Sequence, residues 1–525
     1  MALETEIKLS LPAHAARQVA AHPLLAGLKP LRQRLLNTYY DTPDLRLQRA
    51  RIAVRYRKKG DQWLFTVKSA APSAGGLARR NEWEAPGLPG EFDFSQVDDK
   101  KLRHWLESLR ADLTPAFTTD FMRSAWLLEP RPGVRIELAL DRGHIEAKGR
   151  RTPICELELE LLAAQASAKL PKSSKSPKPQ KSPEADSGNT GNTDDSGVLS
   201  LFDIALALQT TLPLHPASAS KAERGYRLFA STAQSSAIQA VKAQPVALDN
   251  ATPAIAAFRA VVLACLTHLQ SNEQGVQQSE AAEFIHQARV AIRRLRSAIR
   301  AWKPLLPADF IIRFDPRWRE LANALGEARN RDVFIGETLP QLSAAFPKRP
   351  EVGRLSRHAQ QHRTRSRKTA RSALKSADYA RLLLEFTAAV LALPENSPGA
   401  LKLFARQSLD KRIQRVGKLA EQTKTAAHRH RLRVSLKRLR YALEYFTALF
   451  PGQRLQRYHQ TTSRLQDLLG GMNDLEVAGQ FTDQALPGKQ GNDIRHWLDE
   501  RNAAKCHELS TALDNFRQQQ LPWAN

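Results

Sequence analysis

The sequence predicts an α+β N-terminal region followed by an all-α C-terminal region. Three observations carry this reading. Before about residue 231, short segments alternate charged and apolar residues with period two, the pattern of β-strands. After about residue 250, apolar residues recur at intervals of three and four over long stretches, the pattern of packed helices. The second region also repeats itself, because residues from His286 and from His430 match at a constant offset of 144, the mark of a duplicated helical unit.

A chain of 525 residues is long enough for two or more domains, each with its own core. Its formal charge of +26 is uneven: 35 basic and 28 acidic residues lie in 1–250, against 44 and 25 in 251–525. Such an excess favours anionic partners, whether nucleic acid, acidic lipid or polyphosphate, and says little about fold. Cys155, Cys265 and Cys506 lie far apart, with no spacing that suggests a zinc site or a disulfide framework, which fits a reducing cytosol.

The opening Met1-Ala2-Leu3-Glu4 lacks the basic and apolar stretches of a signal peptide. The segment Leu382 to Leu393 is interrupted by Glu385 and falls short of the roughly 20 residues a bilayer requires. A soluble, cytoplasmic protein without a membrane partner is expected. Residues 171–197 are rich in Ser, Pro, Lys, Gly, Asn and Asp, with almost no large apolar side chain, and read as a disordered insertion. A Ser-, Ala- and Gln-rich stretch at 231–250 reads as the linker between a domain at 1–230 and a helical domain at 251–525.

In the first domain, period-two geometry puts Glu4, Glu6 and Lys8 on one strand face and Leu3, Ile7 and Leu9 on the other. One such strand is what any half-exposed sheet shows. The arrangement recurs, however. Arg55 and Arg57 flank Tyr56, Lys68 follows Thr66, and Arg80, Glu82 and Glu84 alternate. Arg135 and Glu137 share a face with Asp141, while Glu156, Glu158 and Glu160 alternate with Leu157, Leu159 and Leu161. A site lined by carboxylates alone would repel itself unless divalent cations neutralised it, and Mg²⁺ prefers oxygen ligands. Arg and Lys on neighbouring strands would meet phosphoryl oxygens, so the mixed set suits a metal–triphosphate complex.

These residues resemble the CYTH family, the triphosphate tunnel metalloenzymes. The resemblance runs through Glu4-x-Glu6-x-Lys8, Tyr40-Asp41-Thr42, Arg55-x-Arg57, Thr66-Val67-Lys68, Arg80-x-Glu82-x-Glu84, Glu137 with Asp141-x-Gly143, Glu156-x-Glu158-x-Glu160, and Ser220-Lys221. It implies an antiparallel β-barrel tunnel with flanking helices. It also implies Glu4, Glu6, Glu158 and Glu160 as metal ligands for Mg²⁺ or Mn²⁺, with Glu82, Glu84 and Glu137 supporting. Lys8, Arg55, Arg57, Lys68 and Lys221 would grip the phosphates, joined by Arg80, Arg123 and Arg135. The catalytic set it implies is Glu4, Glu6, Lys8, Arg55, Arg57 and Lys68. Hydrolysis of this kind needs no protein nucleophile, since water attacks the terminal phosphoryl group in line.

In the second domain, His286, Arg289, Arg293, Arg296 and Arg300 are spaced three, four, three and four, which makes one basic stripe on a helix. Ala288, Ile292, Leu295, Ile299 and Trp302 follow the same rhythm about 200° away. The second copy repeats both, with His430, Arg433, Lys437 and Arg440 against Leu432, Leu436, Leu439, Leu443 and Phe446; Arg294 and Arg438 also correspond. Acidic residues that would form helical ion pairs with the stripes are nearly absent. Neither His286 nor His430 has a second metal ligand one turn on, because Arg stands three residues later in each copy.

The repeated His-x-x-Arg-x-x-x-(Arg/Lys)-Arg-x-Arg pattern is followed by Leu325-Gly326 and Leu469-Gly470, then by Asp332-Val333 and Glu476-Val477. It resembles the CHAD domain, a helical family associated with inorganic polyphosphate, although Asn330 stands where an Asp is expected. The resemblance implies two pseudo-symmetric bundles, with His286, Arg289, Arg293, Arg294, Arg296, His430, Arg433, Lys437, Arg438 and Arg440 lining a polyphosphate groove. Nucleic acid is the rival ligand, but no aromatic residues interleave the stripe as single-strand binding would require. The combined architecture resembles bacterial inorganic triphosphatases. Thiamine triphosphate hydrolysis, ATP cyclisation and a non-catalytic polyphosphate scaffold are the alternatives.

Overall fold

Alternating strands need somewhere to put both faces, and here a closed barrel provides it. The computed structural model describes residues 2–69, 73–162, 192–230, 238–395 and 400–523. Its sheet is built from β1 (Ala2–Ser10), β2 (Leu31–Asp41), β3 (Ile52–Lys59), β4 (Gln62–Ser69), β5 (Leu77–Pro86), β6 (Thr114–Arg131), β7 (Val134–Ala147), β8 (Arg150–Leu162) and the short β9 (His215–Pro216). The spatial order is β5-β4-β3-β2-β6-β7-β8-β1-β9, and β1 pairs with β5 as well, so eight antiparallel strands close into a barrel.

Closure decides which strand face is wet. The outer face carries Ile7, Leu9, Ile136, Leu138, Leu157 and Leu159, all buried beneath helix Asn192–Leu208 through Val198, Leu201, Phe202 and Ala205. Opposite them, Val54, Tyr56, Phe65 and Val67 pack with Phe92, Phe94, Leu106 and Leu109 of the segment that ends in helix Lys100–Leu109. Where the outside is apolar and covered in this way, the charged faces point inward; the outer face of β2 and β6 is open and carries the Arg34–Asp120 pair. The expected tunnel interior is therefore present.

Contacts divide the chain into two units. The first is 1–237 together with 380–392, and the second is 238–379 with 393–525. The stretch 380–392, placed by sequence with the helical domain, brings Leu384 into the apolar cluster around Ile7 and Leu9. The insertion expected at 171–197 lies outside the described residues as far as 191, and its last six residues open helix Asn192–Leu208 instead of being disordered.

The second unit is all helical, and the repeat is visible in its boundaries. Helix Ala282–Ala301 recurs as Ala426–Tyr445, each end displaced by 144 residues. The predicted core stripes are buried in both copies: Ile292, Leu295 and Trp302 in the first, Leu436, Leu439 and Phe446 in the second. The equivalent residues Trp302 and Phe446 touch one another, with ring centroids 5.0 Å apart, so the duplicated helices meet about a pseudo-twofold. One described helix, Ala254–Gln278, is long and apolar enough by composition to cross a membrane. Here Phe258, Val262, Leu266 and Leu269 are buried in the core of this unit.

Candidate active site

The barrel encloses a cavity of about 820 Å³ whose walls carry most of the residues singled out in the sequence. Strand register sets their arrangement. Glu6 lies opposite Glu160 and Lys8 opposite Glu158 across the β1–β8 ladder, while Glu137 faces Glu160 across β7–β8. Glu4 lies opposite Arg80, Lys68 opposite Glu82, and Arg55 and Arg57 opposite Tyr39 and Asn37. Carboxylates thus concentrate on β1, β5, β7 and β8, with Arg55 and Arg57 on β3.

Most of these charges neutralise one another. Glu4 accepts from Lys68 at 2.9 and 3.0 Å and from Arg80 Nε at 2.7 Å. Burial alone would raise its pKa, but Lys68, Arg80 and Lys8 outweigh it and hold the carboxylate well below the ordinary range. Glu6 pairs with Lys8 and Arg80. Arg123 makes a forked contact with Asp141 at 2.8 and 2.7 Å and reaches Glu158 at 2.5 Å.

Two groups on different walls are poorly compensated. Glu160 lines the cavity with no cation at ion-pair distance among the described residues, and burial together with Glu4, Glu6 and Glu82 pushes it up to about 7 against the pull of Lys68. Arg57 lines it too, and among the described residues it is held by Asn37 at 3.0 Å and Glu84 at 4.0 Å. Burial, with Arg55 and Arg123 nearby, pulls its guanidinium down to about 10. Arg55 Nε and Nη2 are buried without a hydrogen-bond acceptor; Nη1 donates to the Tyr39 hydroxyl at 3.2 Å, and Nη2 stands 3.6 Å from Glu82. Among the described residues, one wall thus lacks a close cation, and the other holds its guanidinium groups by long ion pairs only.

A helix closes one end. Ser220 and Glu223 form a capping box, with Ser220 N–H donating to Glu223 at 2.7 Å and Glu223 N–H to Ser220 Oγ at 3.2 Å. This starts helix Lys221–Ala230 so that Lys221 points into the barrel and Tyr226 packs with Phe117, Phe121, Ile145 and Ile154. Gly225 permits the approach, since a Cβ there would lie 2.1 Å from the Phe117 ring. Lys221 Nζ lies 2.7 Å from Asp141, 2.5 Å from Glu156 and 3.0 Å from Glu158. Those three carboxylates are the one acidic trio among the described residues close enough to share a metal ion, and the ammonium already sits with them.

The metal ligands expected from the sequence were Glu4, Glu6, Glu158 and Glu160, so the compact trio is a different set that shares only Glu158. An oxygen-only wall containing an uncompensated Glu160 still fits a hard divalent ion. Of the supporting residues, Glu82 and Glu137 line the cavity, and Glu84 lies in its wall but is exposed. Arg135 shares the inward parity of Glu137 but does not line the cavity.

Sequence reasoning passed over Asn37, Tyr39 and Glu156 as contact residues. Asn37 and Tyr39 carried the same period-two signal on β2, hidden because neither is charged. Tyr40-Asp41-Thr42 turns out to organise a turn: Asp41 accepts from the backbone N–H groups of Thr42, Leu47 and Gln48 at 2.7, 2.9 and 2.9 Å.

In the helical unit the ten expected groove residues separate. Arg289, Arg293, Arg433 and Lys437 form one cationic cluster, which together with burial pulls Lys437 down to about 6. Arg289 donates to the Ala322 carbonyl at 3.2 Å and packs so closely on Gly326 that a Cβ there would lie 1.9 Å from Nη1. His286 is held at about 4 by burial and by Arg329, Arg293 and Arg289, so its imidazole is neutral at pH 7. Arg294 lies off the stripe, buried and paired with Glu444 at 3.0 Å, which makes it a core contact and not a groove residue. Arg296 pairs with Asp315 at 2.9 Å, Arg440 donates to Gln466 at 2.8 Å, and Arg438 and His430 are exposed.

Comparison with known proteins agrees with this architecture. Residues 2–177 match the CYTH domain and residues 260–483 the CHAD domain. The inorganic triphosphatase of Haemophilus influenzae is 29% identical over 229 residues, 43% of this chain and 53% of that protein, so the chain spans about half the length of this curated relative. Among solved structures, the CHAD domain from the plant Ricinus communis is 31% identical, covering 53% of this chain and 95% of that one with a TM-score of 0.47. A putative adenylyl cyclase from Hippeastrum, described as having a dominant triphosphatase activity, is 16% identical, covering 42% and 95% with a TM-score of 0.28. The chain therefore carries a CYTH domain followed by a CHAD domain.

Proposed function

We propose that the CYTH domain hydrolyses inorganic triphosphate to diphosphate and phosphate with Mg²⁺ or Mn²⁺, and that the CHAD domain binds inorganic polyphosphate. The observation that carries the reading is the pair of opposite deficits within one cavity: Glu160 without a cation at ion-pair distance among the described residues, and Arg55 and Arg57 with carboxylates no nearer than 3.6 and 4.0 Å and two buried Arg55 N–H groups unused. A metal–triphosphate complex meets both deficits at once. The name of the Haemophilus influenzae relative points to the same substrate.

Glu4, Glu6, Glu158 and Glu160 would hold the divalent ion, which supplies charge neutralisation at phosphoryl oxygens and a bound water. Arg55 and Arg57 bind the phosphate chain from β3, with Asn37 and Tyr39 fixing their guanidinium planes. Lys8, Lys68 and Arg80, now neutralising Glu4 and Glu6, line the same cavity and would exchange those carboxylates for phosphate oxygens as the divalent ion takes the carboxylates. Burial strengthens each contact because little water competes, so positioning and electrostatics do most of the work. The three cysteines are free, in keeping with a cytoplasmic setting.

Phosphate release from tripolyphosphate, ATP and thiamine triphosphate, measured side by side with and without divalent metal, tests the assignment. Tripolyphosphate should turn over fastest, and only with metal. Tight binding without turnover would make the barrel a scaffold, and preference for either organic triphosphate would move the substrate.

A further inference from the structure

Helix Pro350–Lys375 in the second unit holds eight Arg and Lys residues and a single acid, Glu351. Three of the cations are used internally. Arg363 pairs with Asp332 at 2.7 Å, Arg367 with Asp332 at 3.0 Å, and Arg371 with Glu280 at 2.6 Å. The other five, Arg354, Arg357, Arg365, Lys368 and Lys375, are exposed, and among the described residues only Arg354 has an acidic partner, Glu351 at 2.9 Å.

Their spacing aligns them. At 100° per residue, positions 354, 357, 365, 368 and 375 fall within an arc of about 80°, with exposed Gln361 and Ser372 in the same line. The buried residues Val352, Leu355, Ala359, Ala370 and Leu374 lie on the opposite side. At about 1.5 Å per residue the cations form a straight ridge roughly 32 Å long. A solvated face elsewhere in this unit looks different: helix Asn492–Arg517 mixes five acids with four bases. Like charges one turn apart, such as Arg354 with Arg357 and Arg365 with Lys368, weaken a helix by themselves. Within the helix only Glu351, beside Arg354, offsets them.

We infer that this ridge docks duplex nucleic acid through its phosphate backbone. A thin polyphosphate chain is best held where cations converge from several sides, as Arg289, Arg293, Arg433 and Lys437 do. The ridge is convex and offers cations from one side only, which suits a broad partner with phosphates spread across its surface. A helix about 10–12 Å across also matches the roughly 12 Å major groove of B-form DNA. No aromatic side chain lies on the exposed line to stack an unpaired base, which turns the choice from single strands to duplex. Exposed Gln361 and Ser372 add neutral donors for phosphate oxygens.

Fluorescence anisotropy of the full chain with a labelled random-sequence DNA duplex of about 20 base pairs, twice the ridge length at 3.4 Å per pair, tests this across a salt series. The comparison is with Arg357→Gln/Arg365→Gln/Lys368→Gln/Lys375→Gln and with Arg289→Ala/Arg293→Ala/Arg433→Ala/Lys437→Ala. Wild type should lose about 10²–10³ in affinity between 50 and 200 mM salt, and the ridge variant should lose about three to four of the log–log slope. The groove variant should keep duplex binding while losing long-chain polyphosphate. The single Lys368→Glu variant, checked by its melting curve, provides the same reading should the quadruple variant fold poorly. Wild-type duplex binding by the ridge variants overturns the inference, and so does loss of polyphosphate in place of duplex.

Discussion

Glu6 on β1 and Glu160 on β8 face each other across one rung of the barrel ladder, but among the described residues only Glu6 has cations, Lys8 and Arg80, at ion-pair distance. Glu160 therefore carries the electrostatic strain of the metal-free site. Glu160→Gln should raise the stability of the metal-free protein by about 1–2 kcal/mol, because it removes a buried charge lacking a partner. The same variant should gain less from added Mg²⁺ than wild type does. Thermal melts with chelator and with Mg²⁺ check both, and a destabilised metal-free variant would show that Glu160 is already compensated.

Lys221 is the opposite case. Its ammonium is buried against Asp141, Glu156 and Glu158, so Lys221→Met leaves three largely buried carboxylates with Arg123, Arg224 and Lys8 as their remaining cations among the described residues. Breaking a buried pair from one side costs about 3–5 kcal/mol. Denaturant titration should show a loss of that size, with turnover reduced as well. A loss below about 1 kcal/mol, the range of a surface pair, would mean that the helix can leave the barrel end without penalty.

The interior of the barrel was legible in the sequence because period two is rigid: once Ile7 and Leu9 pack outward, Glu4, Glu6 and Lys8 must point inward. The same logic revealed Arg55, Arg57, Lys68, Arg80 and the β8 glutamates. What periodicity lacks is pairing. That Lys221 sits with Asp141 and Glu156 depends on contacts spanning 65 to 80 residues, and that β1 pairs with β5 is set by closure, which no local pattern encodes. In the helical unit the stripe angle separated core from surface correctly. Arg294 and Arg438, about 80° from the stripe origin at His286 and His430, fell outside that geometry, and the structure puts one in the core and the other at the surface.

Under the proposed function, Lys437 makes polyphosphate binding proton-linked. Its amine is drawn down to about 6 by burial and by Arg433, Arg293 and Arg289, with Asp474 opposing, so it is mostly neutral at pH 7. A bound polyanion favours the charged form, and binding takes up a proton. Polyphosphate affinity should fall as pH rises from about 6 to 8, and Lys437→Gln should flatten that dependence. Arg289→Ala/Arg293→Ala/Arg433→Ala/Lys437→Ala should weaken binding and reduce its salt dependence. Calorimetry in buffers of different ionisation enthalpy reads the proton uptake directly.

Glu273 gives the helical unit its own pH dependence. Burial pushes its carboxyl up to about 8, where it pairs with the Tyr379 hydroxyl. A carboxyl with a folded pKa above its unfolded value of 4.5 keeps its proton longer in the native state, so native stability declines as pH rises between 4.5 and 8. Glu273→Gln should remove that slope and be more stable than wild type at pH 9, by on the order of 2–4 kcal/mol. Chemical denaturation at pH 5, 7 and 9 provides the comparison, and equal slopes in both proteins would place the titration elsewhere.

Phosphate release from tripolyphosphate with Mg²⁺ by wild type and by Glu4→Gln/Glu6→Gln is the measurement on which the assignment turns. The double variant leaves Lys8, Lys68 and Arg80 without their buried carboxylates, so a melting curve establishes that it is folded, and the folded variant should lose turnover by about 10²-fold or more as its metal-holding oxygens lose their charge. Wild-type rates in a folded Glu4→Gln/Glu6→Gln protein would contradict the placement of the metal on this wall of the barrel.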